Sequence, residues 1–153
     1  MKFLYKLIRR RYISLAVFYF ITMTIFSRII KGEIPCYKIA ENELFFAFLD
    51  IHPLVKGHTL VIPKREVDYF LDMNDEELSQ VLLFARPIAR AIRQVIPCER
   101  IGMSVVGLEV PHAHLHLVPI RTIDDLNFTR PKLQLSDEEM KQVQQQIIAH
   151  LSF

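Results

Sequence analysis

The stretch ELFFAFLDIHPLVKGHTLVIP, residues 43–63, sets the architecture of this chain. Its first part, Glu43–Ile51, is rich in β-forming residues and leads into Pro53 and Gly57, which favour a turn. The strand pattern resumes in His58–Pro63. We therefore predict an antiparallel β-hairpin whose two strands are joined by this loop.

The segment after the hairpin has the pattern of an amphipathic helix. Asn74 is a suitable N-cap, and Glu77, three residues later, can complete a capping box. Pro87 lies inside the segment and should kink or divide the helix, because proline removes an internal backbone hydrogen bond. Apolar residues at helical spacing predict one buried stripe, formed by Leu78, Val81, Leu82, Ala85, Ile88, Ala89, Ile92 and Ile96.

Two more strands and one more helix complete the pattern. Gly102–Val106 and Val110–Ile120 read as strands joined near Gly107. A last helix begins at Ser136, where Ser-x-x-Glu139 makes a capping box. Its predicted buried residues are Met140, Val143, Ile147 and Leu151. The order of strands, helix, strands and helix predicts an α+β fold with an antiparallel sheet.

Composition excludes several classes of protein. The chain has 153 residues, of which 51% are hydrophobic, and this is enough for one core. Two cysteines, Cys36 and Cys98, form no C-x-x-C pair and are too few for a disulfide-stapled secreted scaffold. We interpret them as free thiols in a reducing compartment and expect a cytoplasmic protein.

The basic residues are concentrated at the N terminus. Residues 1–22 contain five lysines and arginines and no acidic residue, whereas the whole chain carries +2, so residues 23–153 carry −3. A mildly acidic body argues against a general nucleic-acid-binding surface, which needs clustered cations over the folded domain. It is compatible with a small anionic ligand that is bound locally.

Residues 1–24 form a basic and apolar extension, separate from a domain that spans residues 25–153. The cations precede the uncharged run Tyr12–Ser27, an order typical of a signal peptide or an anchor. That run has 16 residues, fewer than the roughly 20 that cross a bilayer as a helix. Three interpretations stay open: a mis-assigned start with translation from Met23, a membrane anchor or uncleaved signal, and a helix of the fold.

Residues 110–119 read VPHAHLHLVP, with histidine at every second position. In a strand, His112, His114 and His116 would share one side at a spacing of about 7 Å. The residues expected to face the core on the other side are Ala113, Leu115 and Leu117. Because each buried imidazole needs hydrogen-bond partners, three of them on one face favour a functional role over simple packing.

Two kinds of chemistry can use such a row of imidazoles. Three histidines can hold zinc, although neighbours on one strand face do not easily reach a single ion. Alternatively, one imidazole can act as a nucleophile while the others orient it and bind an anionic substrate. The strand pattern alone does not choose between them.

The run HAHLHLV, residues 112–118, resembles the His-φ-His-φ-His-φ-φ signature of the histidine triad (HIT) family, where φ is apolar. The segments IIKGEIP, FLDIHPLVKGH and LVIPK precede it in order and resemble the nucleotide-binding branch of that family. The resemblance covers roughly Ile25–Ile120 and is vaguer in the C-terminal helix. It implies a five-stranded antiparallel sheet with two main helices, and a homodimer.

The resemblance also implies catalytic roles. His114 would be the nucleophile that attacks the α-phosphorus of a nucleotide and carries a covalent nucleotidyl group. His112 and His58 would hold its tautomer through hydrogen bonds, and His116 would contact the phosphate. Neither a redox cofactor nor a metal is expected for this mechanism.

Substrate-binding residues follow from the same resemblance. Asp50 would bind the ribose hydroxyls, and the base, expected to be a purine, would be enclosed by Phe48, Leu49 and Ile51. The implied activity is hydrolysis of nucleoside phosphoramidates or related nucleotide conjugates. The alternatives are a dinucleoside polyphosphate hydrolase, a metal-dependent histidine-cluster protein, and a nucleotide binder with little turnover.

Two departures from the family pattern affect these expectations. Some members hold a structural zinc with an early Cys-x-x-Cys and later histidines, but here Thr24 and Ser27 take the cysteine positions and Glu66 takes a histidine position. We therefore expect that zinc site to be absent. Many members have a Ser or Thr where this chain has Glu109, which could bind a cationic amine leaving group or point to solvent.

Overall fold

The computed structural model describes residues 23–153, in which five antiparallel strands form one sheet in the order β1-β2-β3-β5-β4. The strands are β1 (Lys38–Glu41), β2 (Phe45–Leu49), β3 (Thr59–Pro63), β4 (Arg100–Ser104) and β5 (Leu115–Ile120). The helices are α1 (Ile25–Ile30), α2 (Asp75–Val95) and α3 (Asp137–Ala149), with 3-10 turns at Phe70–Asp72 and Ile123–Leu126. The predicted α+β class and the five-stranded antiparallel sheet are confirmed.

The hairpin predicted from residues 43–63 is present. Strands β2 and β3 pair in continuous register, from Phe45 opposite Pro63 to Leu49 opposite Thr59. Gly57 lies in the connecting loop with φ +88°, and a Cβ there would lie 2.8 Å from Cγ1 of Ile96. Glycine is therefore favoured at this turn for two reasons, the positive φ and the close approach of Ile96, which follows α2.

The first long helix, α2, begins as predicted with a capping box between Asn74 and Glu77. It continues without interruption through Pro87, so the prediction that proline would divide it is wrong. The buried residues on both sides of the proline, such as Ala85 and Ile88, pack against the same core, which stabilises a helix that lacks one internal hydrogen bond.

The predicted stripe on α2 is correct only in part. Val81, Ala85, Ile88 and Ile92 are buried, but Leu82 is 52% exposed. Two further buried residues, Phe84 and Ala91, were not predicted. The buried face is therefore rotated away from Leu82, toward the sheet and α3.

The last helix agrees closely with the prediction. Ser136 and Glu139 form the capping box of α3, and Met140, Val143 and Ile147 are buried. Leu151 follows the helix and packs half-buried against the same core. Helices α2 and α3 thus cover one face of the sheet.

The strand predicted over Val110–Ile120 is wrong in its first half. Strand β5 begins at Leu115, and residues 110–114 form an irregular segment that leads into it. Pro111 has no backbone N–H to donate to a ladder, and the amide of His112 turns back to the carbonyl of Val110. Only His116 of the three histidines lies on a strand. Strand β4 also begins two residues before the predicted Gly102–Val106.

Helix α1 packs on the opposite face of the sheet from α2 and α3. Its Phe26 and Ile29 form a second apolar cluster with four sheet residues, Phe46, Phe48, Leu60 and Ile62. The interpretations offered for residues 1–22 lie outside the described residues. Within residues 23–153, no helix combines the length and apolar character needed to cross a bilayer.

Candidate active site

A cavity of about 270 Å³ opens on the α1 face of the sheet. It lies where the ends of β2 and β3, helix α1 and the segment before β5 meet. Seven of the nine site residues predicted from the sequence line it: Phe48, Asp50, Ile51, His58, Glu109, His114 and His116. Residues that are far apart in the sequence are thus brought to one cavity.

Two predicted site residues do not line the cavity. Leu49 is 1% exposed and packs into the core on the α2 and α3 side, because neighbouring strand residues alternate between faces. His112 is fully buried behind the cavity, where its Nε2 lies 2.9 Å from the carbonyl oxygen of Pro63 and its Nδ1 lies 2.9 Å from Oγ1 of Thr24.

His114 has one ring nitrogen held and the other free. Its Nδ1 lies 2.7 Å from the backbone oxygen of His112. A carbonyl oxygen only accepts hydrogen bonds, so Nδ1 carries the hydrogen and, in the neutral ring, Nε2 has the lone pair. Within the described part of the chain, Nε2 has no hydrogen-bond partner. The ring is almost buried and packs edge-on against Phe26, with the centroids 5.4 Å apart. His114 thus places an oriented ring, with Nε2 free of protein partners, at the wall of a cavity.

His58 and His116 form a second oriented pair. The backbone N–H of Leu54 donates to Nδ1 of His58, at 3.2 Å, so that Nδ1 has the lone pair and Nε2 has the hydrogen. Nε2 of His58 therefore donates to Nδ1 of His116, at 3.0 Å. It follows that the hydrogen of His116 is on Nε2, a buried atom without a partner in residues 23–153. His116 presents an unused N–H donor beside His114, whose ring centroid is 4.7 Å away.

Burial keeps these rings neutral. Desolvation lowers the pKa of His58 to about 3, and the nearby charge of Lys132 acts in the same direction. Desolvation also lowers the pKa of His116 to about 3. The pKa of His112 is lowered as well, mainly by burial. Neutral imidazoles have one donor and one acceptor nitrogen, as the hydrogen bonds around them require.

One group of residues has the proximity of a metal site. Asp50, His58 and His116 offer ligand atoms that all lie within 4.8 Å of one another. However, both ring nitrogens of His58 are already in hydrogen bonds, one with Leu54 and one with His116. A metal ion bound to either nitrogen would have to displace the hydrogen bond at that nitrogen. The arrangement favours a hydrogen-bonded chain over a metal centre.

The positions that hold structural zinc in some family members also do not fit a metal here. Thr24 and Ser27 offer neutral hydroxyls, which are poor ligands for zinc compared with thiolates. Both ring nitrogens of His112 are in hydrogen bonds, and the carboxylate of Glu66 accepts from Ser27 at 2.6 Å. The donor set is that of a hydrogen-bonded cluster.

Among the cavity residues that sequence reasoning missed are two that follow β5, Phe128 and Lys132. The ring of Phe128 packs edge-on against His116, with the centroids 4.8 Å apart, and Lys132 donates to the carbonyl oxygen of Phe128 at 2.8 Å. Both lie in the irregular segment after β5, which has no periodicity. The only sequence signal was an isolated aromatic and a lysine beside a proline. Lys132 adds a positive charge to a cavity that otherwise contains Asp50 and Glu109.

Comparisons with known proteins agree with this geometry. A family model described as the HIT domain matches residues 31–123. A HIT-like protein of Borreliella burgdorferi is 38% identical over 131 residues, which cover 80% of this chain and 94% of the relative. The adenosine 5'-monophosphoramidase of Schizosaccharomyces pombe is 34% identical over 129 residues, again 80% of this chain and 94% of the relative.

Solved structures of histidine triad proteins also share the fold of this chain. A HIT-like protein of Bartonella henselae superposes with a TM-score of 0.72 at 28% identity, over 84% of this chain and 96% of the other. A histidine triad protein of Mycobacterium smegmatis, solved with zinc bound, gives a TM-score of 0.71 at 30% identity, over 82% and 91%. The matched domain, the shared fold and the histidines around one cavity lead to one conclusion: the chain belongs to the histidine triad (HIT) family.

Proposed function

We propose that this protein hydrolyses nucleoside phosphoramidates, or related mononucleotide conjugates, at the α-phosphate with His114 as the nucleophile. The observation that carries the proposal is the hydrogen bond from Nδ1 of His114 to the carbonyl of His112, which leaves the lone pair of Nε2 at the cavity. The Schizosaccharomyces pombe relative is named as an adenosine 5'-monophosphoramidase, and this supports both the reaction and a purine base.

The reaction divides into two displacements at phosphorus. In the first, Nε2 of His114 forms a bond to the α-phosphorus while the P–N bond breaks, and the leaving nitrogen departs as the amine after it takes up a proton. In the second, water attacks the nucleotidyl-histidine, so that the nucleoside monophosphate is released and the imidazole is restored. The N–H of His116 stabilises negative charge on the phosphoryl oxygens in both steps.

Asp50 is suited to bind ribose hydroxyls. Its Oδ1 accepts from the amide of His52 at 2.8 Å, whereas Oδ2 lies 3.6 Å from Nδ1 of His58, an atom that has no hydrogen to donate. Oδ2 thus keeps acceptor capacity at the cavity. Phe48 and Ile51 provide apolar surface beside it, which suits the face of a purine.

Lys132 supports a second candidate, the dinucleoside polyphosphates. Its ammonium at the cavity would favour the extra phosphates of such a substrate, whereas Glu109 at the same cavity would repel them. A phosphoramidate and a dinucleoside tetraphosphate, assayed side by side, separate the two. We expect faster hydrolysis of the phosphoramidate.

The decisive experiment is to trap the covalent intermediate. Brief incubation with a phosphoramidate, acid quench and peptide mass mapping should locate one nucleotidyl group on His114. His114→Ala should abolish turnover while nucleotide binding persists. If the wild type binds nucleotide but does not turn over the phosphoramidate, the protein is a nucleotide-binding protein and not a hydrolase. If His114→Ala retains turnover, His114 is not the nucleophile.

A homodimer joined through β4 and α2 is part of the proposal. Strand β4 is an edge of the sheet and leaves one row of backbone groups unpaired by the other strands. Beside it lies a shallow cavity whose apolar lining includes Leu82, Ile101 and Met103, with four arginines around it, and Met103 is 56% exposed. Sedimentation should give a dimer that Met103→Glu dissociates; an unchanged dimer would place the interface elsewhere.

The free, partly buried cysteines suit a cytoplasmic location.

A further inference from the structure

A cluster of four polar side chains links α1 to the segment that carries the histidines. Oγ1 of Thr24 lies 2.9 Å from Nδ1 of His112 and 3.0 Å from Oγ of Ser27, and Ser27 in turn donates to Oε2 of Glu66 at 2.6 Å. Thr24 and Ser27 are each only 8% exposed. Buried hydroxyls are stable where their hydrogen bonds are satisfied, as they are here.

The hydrogen bonds of this cluster have fixed directions. Nε2 of His112 lies 2.9 Å from the carbonyl oxygen of Pro63, which only accepts, so Nε2 carries the hydrogen and Nδ1 carries the lone pair. The hydroxyl of Thr24 must therefore donate to Nδ1. Oγ1 of Thr24 also accepts from the amide of Ser27, at 3.1 Å, as the N-cap of α1. One threonine hydroxyl thus holds both a helix end and a histidine ring.

The ring of His112 is connected to the proposed nucleophile through its own backbone. Its carbonyl oxygen accepts the Nδ1–H of His114, the bond that leaves Nε2 free for attack. Residues 110–114 are outside any strand and have no continuous ladder to hold them. The backbone bonds of this segment include His112 to Val110 and Ala113 to Val67. The two bonds to the ring of His112 therefore contribute strongly to where its carbonyl lies.

Helix α1 contributes a second contact to the same place. Phe26, between Thr24 and Ser27, lies edge-on to both imidazoles, with centroid distances of 5.8 Å to His112 and 5.4 Å to His114. The start of α1 thus supplies a hydroxyl to the ring of one histidine and an aromatic wall to the next.

We propose that Thr24, supported by Ser27 and Glu66, is a positioning residue for catalysis that acts through His112. This rests on the proposed function of His114. The hydroxyl of Thr24 fixes the ring of His112, the ring fixes the carbonyl, and the carbonyl fixes the tautomer and direction of His114. Loss of the hydroxyl lowers kcat more than it changes KM, because the substrate-binding residues at the cavity are untouched.

The test compares Thr24→Val with Thr24→Ser. The valine keeps the shape but removes the hydroxyl, and we expect kcat for a phosphoramidate to fall about tenfold or more, since small misplacements of a reacting group have effects up to about a hundredfold. KM should stay within about twofold. Thr24→Ser restores the hydroxyl and should restore kcat. Ser136→Ala removes the N-cap of α3, a residue that does not line the cavity, and controls for the loss of a helix cap.

A second readout does not depend on turnover. Imidazole ¹H–¹⁵N spectra should show His112 protonated on Nε2 and His114 on Nδ1 in the wild type, and a mixture of His114 tautomers in Thr24→Val. Ser27→Ala, which retains the bond from Thr24 to His112, should give a smaller change and serves if the valine variant does not fold. An unaltered kcat and His114 spectrum in Thr24→Val, or an equal loss of kcat in Ser136→Ala, would overturn the proposal. If the wild type has no turnover, only the proposed hydrolase function is refuted. The imidazole spectra would still test whether Thr24 positions His114.

Discussion

Nε2 of His58 lies 3.0 Å from Nδ1 of His116, and this bond fixes the hydrogen of His116 on Nε2, a buried nitrogen in a ring that packs against His114. The two residues come from different strand regions: His58 immediately precedes β3, and His116 is the second residue of β5. Their pairing follows from the antiparallel register, in which Leu60 lies opposite His116. A tautomer at the cavity is therefore set by the pairing of strands.

His58→Phe should impair turnover without a large effect on nucleotide affinity. The variant keeps an aromatic ring but cannot donate to Nδ1 of His116. The hydrogen of His116 can then move from Nε2 to Nδ1, where it no longer serves as a donor to the substrate. Loss of one preorganised donor to a developing oxyanion costs about 10²–10³ in kcat, and the indirect loss here should be at the low end. Steady-state kinetics measure it. His150→Asn, at an exposed histidine at the end of α3, is the matched control and should leave kcat unchanged.

Stability should fall as pH decreases below neutrality. The pKa of His58 and that of His116 are about 3 in the folded state, whereas an unburied histidine has 6.5. The unfolded chain therefore binds protons between pH 6.5 and pH 3 that the folded chain does not, so these rings stabilise the fold above pH 6.5 and lose that contribution toward pH 3.

The expected slope is up to about 1.4 kcal/mol per pH unit for each ring in that window. Urea unfolding at pH 7, 6 and 5 measures it, and His58→Phe should flatten the dependence relative to the wild type. A free energy of unfolding that does not vary between pH 7 and pH 5 would mean that these histidines are charged in the folded protein.

How far the sequence predicts this protein depends on how local the signal is. The hairpin over residues 43–63 and the capping boxes at Asn74 and Ser136 were predicted correctly, because the residues that form them are neighbours in the chain. The strand over the triad was predicted too long, because a perfect two-residue periodicity concealed the effect of Pro111 on backbone pairing.

The less local parts of the site were beyond sequence reasoning. The resemblance groups Leu49 with the base-binding residues because it lies between Phe48 and Asp50 in the chain. Strand alternation instead directs its side chain to the other face of the sheet. Phe128 and Lys132 reach the cavity only because the segment after β5 folds back over His116. No pattern of spacing encodes such a return, since it depends on packing between residues that are far apart in the chain, such as Phe128 and His58.

Glu109 should select the charge of the leaving group. It is exposed and lines the cavity, so its charge acts on the substrate through water and with modest strength. Glu109→Gln should raise kcat/KM for a dinucleoside tetraphosphate and lower it for a phosphoramidate with a cationic amine, each by about twofold to fivefold. Glu99→Gln, an exposed acid at the start of β4, controls for net charge. Equal values for Glu109→Gln and the wild type on both substrates would mean that this carboxylate points to solvent.

The cluster of Thr24, Ser27, Glu66 and His112 should accept zinc once its side chains are changed to better ligands. Oγ1 of Thr24 already lies 2.9 Å from Nδ1 of His112 and 3.0 Å from Oγ of Ser27, and the hydroxyl of Ser27 donates to the carboxylate of Glu66, so these side chains converge on one region. Thiolates and imidazole at these positions would complete a tetrahedral Cys₂His₂ set, in which the metal replaces the hydrogen bonds.

The triple variant Thr24→Cys, Ser27→Cys and Glu66→His should therefore bind one zinc per chain, whereas the wild type and Thr24→Cys alone should bind none stoichiometrically. Cobalt substitution gives a direct readout, because tetrahedral thiolate coordination produces visible absorption bands that octahedral cobalt in water lacks. Metal bound by the triple variant should also raise its thermal midpoint, since an ion that binds only the folded state stabilises it. Cobalt bound with an octahedral spectrum, or none bound at all, would show that the four positions do not surround one point.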